Sequence, residues 1–435
     1  MYRKLTVSLL LLVVAVCGAS AKDIDLKSRG AKADGKTKVT ALLQKAIDDV
    51  SSSGGGRVIL SGGVFLTAPV ELKSGVELHI EADATLLASA DLSDYPERTD
   101  VRHYLSEGMP RFRNVSIIYA DEAENIAITG RGTIDCNGTC FVKKKTGDNW
   151  KGWHFERTVP RPQSLPRAVF FAGCRNITVT DVTMTNQPAG WSYWIHDCDV
   201  VHFDRCKILA DVRYPNNDGI HLNCSRDVTV SNCFIETGDD AVIIRANSRS
   251  LRENKPCERV VITNCVLRSW DTGVRIGWTN DGVIRNCSVS NIQMYDCSAG
   301  ICLYLPSFPL LKESDGNDYG REASLIEDIS FSNIRMDHVF LPVFGIIDEA
   351  EEVRCEAIRN ISFSDMNVSC LYELCFKGRE GTPIEEVSFN NCTFEILPEE
   401  EFPDGTRHGW VVRPKGNRFA HVVNLRYDNC RYIYR

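Results

Sequence analysis

The sequence predicts an all-β chain wound into a parallel β-solenoid, with a short helix capping its N-terminal end. Three observations carry this. Short strings that alternate apolar and polar residues recur from about residue 115 onward, Asn, Asp or Gly follows the runs, and the strings return at a period in the low twenties. They are NIAITG (125–130), NITVTDVTM (176–184), DVTVSNCFI (227–235), RVVITNCVL (259–267), GVIRNCSV (282–289), DISFSNIRM (328–336), NISFSDMNV (360–368) and EVSFNNCTF (386–394). Alternation is strand periodicity, and Asn, Asp and Gly supply turn backbone. Starts at 227, 259 and 282 lie 32 and 23 residues apart, which is solenoid spacing with loop insertions. A leucine-rich repeat would need a Leu/Asn pattern that is missing. Each coil should lie about 4.8 Å from the next, and inward residues should stack into one continuous core. Residues 22–435 therefore read as a single domain, although length alone suggests two or three.

The remaining elements follow in chain order. Arg3 and Lys4, the apolar run 5–16 and the small residues Ala19-Ser20-Ala21 read as a secretory signal peptide over 1–21. The run is too short for a membrane span, which needs about 20 residues. Val16 before Cys17 is larger than lipoprotein processing favours. The expected location is therefore secreted or periplasmic. Leu42, Leu43, Ala46, Ile47 and Val50 fall at helical spacing and predict the capping helix, which would shield the open edge of the first coil. Gly54-Gly55-Gly56 precedes a strand and is no dinucleotide fingerprint. Insertions at 143–166 and 307–322 are too long and polar for coil turns and read as loops beside the site. The tail from Glu385 ends in strand-like pieces rich in aromatic and basic residues.

Composition narrows the function. Charged residues make up 25%, hydrophobic ones 43%, and the net charge is -8, an ordinary folded balance with no basic field for nucleic acid or anionic membranes. No later stretch could span a bilayer, and a monomer is expected. Of 18 cysteines, 17 remain after the signal segment, an odd number without metal spacing. Many occupy one place in the repeat, as in Asn232-Cys233, Asn264-Cys265, Asn286-Cys287 and Asn391-Cys392. They read as small buried apolar residues stacked in a ladder, not as disulfides. The Asn-x-Ser/Thr sites at Asn176 and Asn286 read as strand-repeat chemistry and not as glycosylation.

The chemical signal lies at 215–245. Asn216-Asn217-Asp218-Gly219-Ile220-His221-Leu222 aligns with Gly238-Asp239-Asp240-Ala241-Val242-Ile243-Ile244, one coil of 22 residues later. Asp218 should neighbour Asp239 and Asp240. Carboxylates so close raise at least one pKa, leaving a protonated acid beside ionised bases, the division that glycoside hydrolysis uses. In the same register Ile220, Val242, Val274 and Ile301 form one apolar column. His221, Ile243, Arg275 and Cys302 form the alternate one, which should face the cleft.

These motifs, with 30–48, 54–74, 84–96 and 191–208, give a sequence that resembles glycoside hydrolase family 28 over nearly all of residues 22–435. The family is a set of polygalacturonase-like, right-handed, single-stranded parallel β-helices of the pectin-lyase-like type. NNDG resembles its NTD motif and GDD matches its GDD motif. The resemblance implies that Asp239 is the general acid, that Asp218 and Asp240 orient and deprotonate water, and that configuration is inverted. It also implies that the substrate is a pectic polysaccharide or a fragment of one. Inverting chemistry needs about 6.5–9.5 Å between acid and base. Two signatures differ. Where relatives carry Gly-His-Gly, Thr272 or Asp271 falls at the histidine; where they carry Arg-Ile-Lys for the galacturonate carboxylate, Cys302 and Tyr304 stand at the charged positions. Rhamnogalacturonan, an unusual galacturonoside or an α-rhamnoside fits this better than plain polygalacturonate. Arg275 is the candidate replacement cation, with His221, Arg245 and Asn216 as further substrate-binding candidates. Trp191, Tyr193 and Trp194 are candidates for an aromatic sugar platform. No cofactor motif is present and no metal is expected. Two alternatives use the same scaffold: a polysaccharide lyase with Ca²⁺ on the acids and Arg275 as base, and a non-catalytic carbohydrate-binding solenoid.

Overall fold

The computed structural model describes residues 21–96, 116–146, 153–158, 167–188, 190–248, 251, 253–307, 322–350, 353–402 and 418–435. Residues 1–20 of the signal segment and nearly all of the second insertion lie outside these residues. The chain is a parallel β-helix, as its periodicity requires. Its strands form one sheet of 24 and one of 11, joined within the coils. A representative coil runs Arg226–Ser231 and Phe234–Thr237 on the large sheet, then Val242–Arg245 on the small one. The next runs Cys257–Thr263, Val266–Ser269 and Thr272–Ile276. Corresponding strands pair in parallel, coil upon coil.

Inward residues make one core cluster that extends from Ile24 to Phe394. In it Phe331, Phe363 and Phe389 stack with ring centroids 4.8 and 4.5 Å apart. Removing the middle ring would cost about 3–5 kcal/mol. The turns explain the recurring Asn. Asn125, Asn176, Asn264, Asn291 and Asn333 all take left-handed backbone, with φ between 52° and 56°, a conformation that costs most L-residues about 1–2 kcal/mol. Their amides also bond between coils: Asn176 Nδ2 donates to Asn125 Oδ1 and Asn333 Nδ2 to Asn291 Oδ1, each at 2.7 Å. The cysteine reading is borne out. All 17 described thiols are free, and 14 of them are buried.

The capping helix is Thr40–Ser52, which buries Leu43, Ala46, Ile47 and Val50. Leu42, expected on the buried face, is exposed; it sits one step off the stripe that meets the first coils. Behind the helix, Gly56 has φ 142°, and a Cβ there would lie 2.2 Å from the Lys22 carbonyl oxygen. The glycine run thus serves close coil approach. The insertion at 143–166 is not wholly a loop: Val142–Thr146 and Trp153–Arg157 pair as an antiparallel hairpin.

Candidate active site

The two acidic motifs are locked to one another by backbone. Ile220 pairs with Val242, and Gly219 N–H donates to the Asp240 carbonyl at 2.9 Å, so Asp218 and Asp240 are neighbours on consecutive coils. The glycines are needed for contact: a Cβ on Gly219 would meet the Ala241 carbonyl oxygen at 2.2 Å, and one on Gly238 the Tyr214 carbonyl oxygen at 2.3 Å. Asn217 ties the turns together. Its Nδ2 donates to the Asp211 carbonyl at 2.9 Å, and its Oδ1 accepts from Gly238 N–H at 2.7 Å.

Oxygens of Asp218, Asp239 and Asp240 lie within 4.8 Å of one another. The three residues are only 5%, 9% and 1% exposed. Asp239 Oδ1 accepts from Asp240 N–H at 3.0 Å, and its Oδ2 accepts from Asn216 Nδ2 at 2.9 Å. Arg157 of the hairpin donates to Asn216 Oδ1, so the insertion does reach the site. Arg275 Nη1 sits 2.8 Å from Asp240 Oδ2, and its Nη2 lies 3.3 Å from Asp271 Oδ1. The guanidinium carbon is 4.3 Å from the Trp278 ring centroid. His221 Nδ1 is 3.9 Å from Asp218 Oδ2.

Burial pushes the Asp218 carboxyl well up; Asp239 and Asp240 add to this and Arg275 opposes it. Burial also pushes Asp240 up, with Arg275 the chief opposing influence and Asp271 and Asp239 reinforcing the rise. The cluster therefore shares protons and titrates as a unit. Burial, then Arg245, Arg167 and Arg275, hold His221 well below the usual imidazole range, so it is neutral. The acids could together reach one cation. Against that, a Ca²⁺ ion takes about 6–8 oxygen ligands, and Arg275 already places positive charge on Asp240.

The structure brings together six of the seven residues singled out from the sequence: Asp218, Asp239, Asp240, Asn216, His221 and Arg275. Arg245 has another commitment. Its Nε lies 2.9 and 2.7 Å from the two Asp281 oxygens, and Nη2 donates to the Thr279 carbonyl at 3.2 Å, at 4% exposure. That is a buried structural pair, not a surface offered to a sugar. The alternating columns are in the expected register, but the outward one is no open cleft. His221 is 3% exposed and packs against Trp191 with centroids 4.1 Å apart, and Ile243 and Cys302 are also buried. Tyr193 and Trp194 are fully buried, which removes them from the sugar platform; Trp191 is half-buried. The same register sets Thr272, not Asp271, opposite Asp240.

The sequence reading named Asp271 only as a possible occupant of the histidine position and missed its place as an acid beside the site; Arg167 it missed altogether. Asp271 aligns with Asp239, as Trp-Asp-Thr-Gly against Gly-Asp-Asp-Ala could have revealed. Arg167 lies 4.4 and 3.9 Å from the Trp191 and Trp194 ring centroids. No motif marks it.

The fold and site define a parallel β-helix that carries buried acids on consecutive coils. A family model described as glycosyl hydrolases family 28 matches residues 106–369, more than half of the chain, and the chain belongs to that family. It is 26% identical over 289 residues to a probable polygalacturonase of Vitis vinifera, covering 65% of this chain and 56% of the relative. It is 26% identical over 314 residues to an exo-poly-alpha-D-galacturonosidase of Dickeya chrysanthemi, covering 64% and 52%. It thus spans just over half the length of these two relatives. An endo-polygalacturonase of Pectobacterium carotovorum is matched over 83% of this chain and 85% of that one, at 26% identity. Among solved structures, an exopolygalacturonase from Thermotoga maritima aligns with TM-score 0.66 and 23% identity, covering 87% of this chain and 88% of that one. A family 28 exopolygalacturonase of Yersinia enterocolitica aligns with TM-score 0.67 and 18% identity, covering 94% and 78%. These likenesses establish the right-handed parallel β-helix.

Proposed function

We propose that this chain is an exported, monomeric glycoside hydrolase that cleaves O-glycosidic bonds in a pectic glycan. The observation that carries this is the buried cluster of Asp218, Asp239 and Asp240, with oxygens within 4.8 Å of one another. Desolvated like charges are costly, and a hydrolase has a use for them. Asp239, the least buried of the three, gives its proton to the leaving oxygen, while Asp218 and Asp240 hold and deprotonate water. Water accepted or donated at about 2.8 Å to each of two oxygens bridges a gap of this size. The cluster is tighter than the 6.5–9.5 Å anticipated from the resemblance and nearer the roughly 5–5.5 Å of retaining sites. The single-displacement reading rests on the third carboxyl: two acids serve the water and one serves the leaving group. The names of the family relatives point to a galacturonide substrate, and the N-terminal segment 1–21 supports export.

The lyase alternative needs Arg275 as a base. Instead Arg275 is held by Asp240 and Asp271, which raise its pKa against the effect of burial. The binding-solenoid alternative leaves the repulsive cluster without a purpose. Relatives' uronate-binding positions are filled by Cys302, which is buried, and Tyr304, whose hydroxyl donates to Asp348 Oδ2 at 3.3 Å. This favours rhamnogalacturonan, an unusual galacturonoside or an α-rhamnoside over plain polygalacturonate. Incubation with polygalacturonate, rhamnogalacturonan fragments and aryl rhamnosides, followed by mass spectrometry, tests the proposal. A hydrated product that disappears with Asp239→Asn is expected. An unsaturated product would establish the lyase instead, and no product from any substrate would return the binding solenoid.

A further inference from the structure

We infer that Arg275 is a positioning residue that fixes Asp240 as the ionised partner of the acid cluster, and is not a clamp for a substrate carboxylate. The inference rests on the hydrolytic reading above. Arg275 lies on Thr272–Ile276, one coil beyond Asp240, and both of its terminal nitrogens face acids of the protein: Nη1 faces Asp240 at 2.8 Å and Nη2 faces Asp271 at 3.3 Å. Trp278 covers it, with the guanidinium carbon 4.3 Å from the ring centroid. A planar fork held at both tips and stacked on a ring is pre-organised, which suits fixing a carboxylate better than following a mobile sugar.

The surroundings point the same way. Asp218 approaches Asp240 from the preceding coil, Asp239 directly precedes Asp240 in the same turn, and Asp271 lies just before the strand that carries Arg275. His221, in the same outward column, is neutral. Cys302, next in that column, is buried with its thiol pushed up by desolvation. Arg245 is spent on Asp281. A substrate carboxylate at Arg275 would displace Asp240 or Asp271 and enter a field set by four acids. The sugar facing this point is therefore uncharged there. Arg275 also favours the ionised form of Asp240 against the burial that opposes it.

The test uses the full chain with Arg275→Met, with Arg275→Gln alongside should the first not fold, and Arg275→Lys. On the substrate that the unaltered protein cleaves, removing the cation should lower kcat about 100-fold, the scale of losing a placed acid–base group, while KM changes by less than about threefold. The acid limb of kcat/KM should move up by about one pH unit. Lysine should restore most of both. A rise in KM confined to uronate-containing substrates, with the limb unmoved, would overturn the inference. Carboxyl ¹³C NMR of Asp-labelled protein, with Asp240 assigned through Asp240→Asn, needs no turnover. Its midpoint should rise in the methionine or glutamine variant, and an unchanged midpoint would contradict the inference. Failure of the hydrolytic reading would show separately, as absence of product from the unaltered protein.

Discussion

Two columns of charge run along the same helix and obey opposite rules. On the large sheet, register stacks Glu124, Arg175, Asp199, Arg226, Glu258, Arg285, Glu327, Arg359 and Glu385, one per coil. The sign alternates at every step. Arg226 Nε meets Asp199 at 3.1 Å, Arg285 Nε meets Glu258 at 2.8 Å, and Arg359 Nη2 meets Glu327 at 2.8 Å. In the turns that lead into the small sheet, Asp218 and Asp240 repeat their sign one coil apart, Asp239 lies alongside, and all three are buried. One stacking geometry thus gives a largely half-exposed ladder of opposite charges in one place, with Glu258 buried between its arginines, and a desolvated cluster of like charges in the other. The first contributes modestly to holding coils together. The second opposes folding and is explained by chemistry.

The largest effect should come from breaking the like-charge column at its most accessible member. Asp239→Asn keeps shape and hydrogen-bonding size, so the fold should be unchanged while turnover falls by about 10²–10⁴. Steady-state kinetics beside circular dichroism checks this. Asp218→Asn should abolish most turnover as well, yet raise stability at neutral pH by about 1 kcal/mol, in the manner of active-site residues that trade stability for function. The sign follows from the raised folded-state pKa of Asp218. Ionising it costs more in the folded than in the unfolded chain, so the protein loses stability as pH rises above the unfolded value. The advantage of the asparagine variant should therefore vanish below about pH 4, and melting curves across pH would show it.

The alternating column should respond in the opposite sense. Glu258 accepts from both Arg259 and Arg285. Glu258→Gln should lower stability by about 1 kcal/mol, more so at low salt, with kcat and KM unaltered. A loss of activity from this change would erase the distinction between the columns. The smallest effect concerns thiols. Cys140 is the one exposed cysteine among the described residues, so a thiol reagent should label one site quickly in the folded protein. Rapid labelling of several would contradict the packed ladder.

What the sequence disclosed depended on whether stacking itself carried the information. Asp218 and Asp240 were legible because one coil step aligns them, and their flanking Ile220 and Val242 confirm the register. Arg245 was misread because its partner Asp281 lies 36 residues away in a turn, where no periodicity links the two. His221 was placed on the correct face, but alternation reports direction and not exposure, and Trp191 covers it. Arg275 was found as a cation near the acids, while its commitment to Asp240 required coordinates. The hairpin contact from Arg157 was invisible because it enters from an insertion outside the repeat, and Arg167, although it opens a repeat strand, carries no motif that marks it.

The central claim is that two acids of the cluster direct water onto the sugar while the third protonates the leaving group. The most direct test is the anomeric form of the first product, read by proton NMR before mutarotation. The account predicts inversion at the cleaved carbon. A product that retains its configuration, or an unsaturated one formed without water, would contradict it.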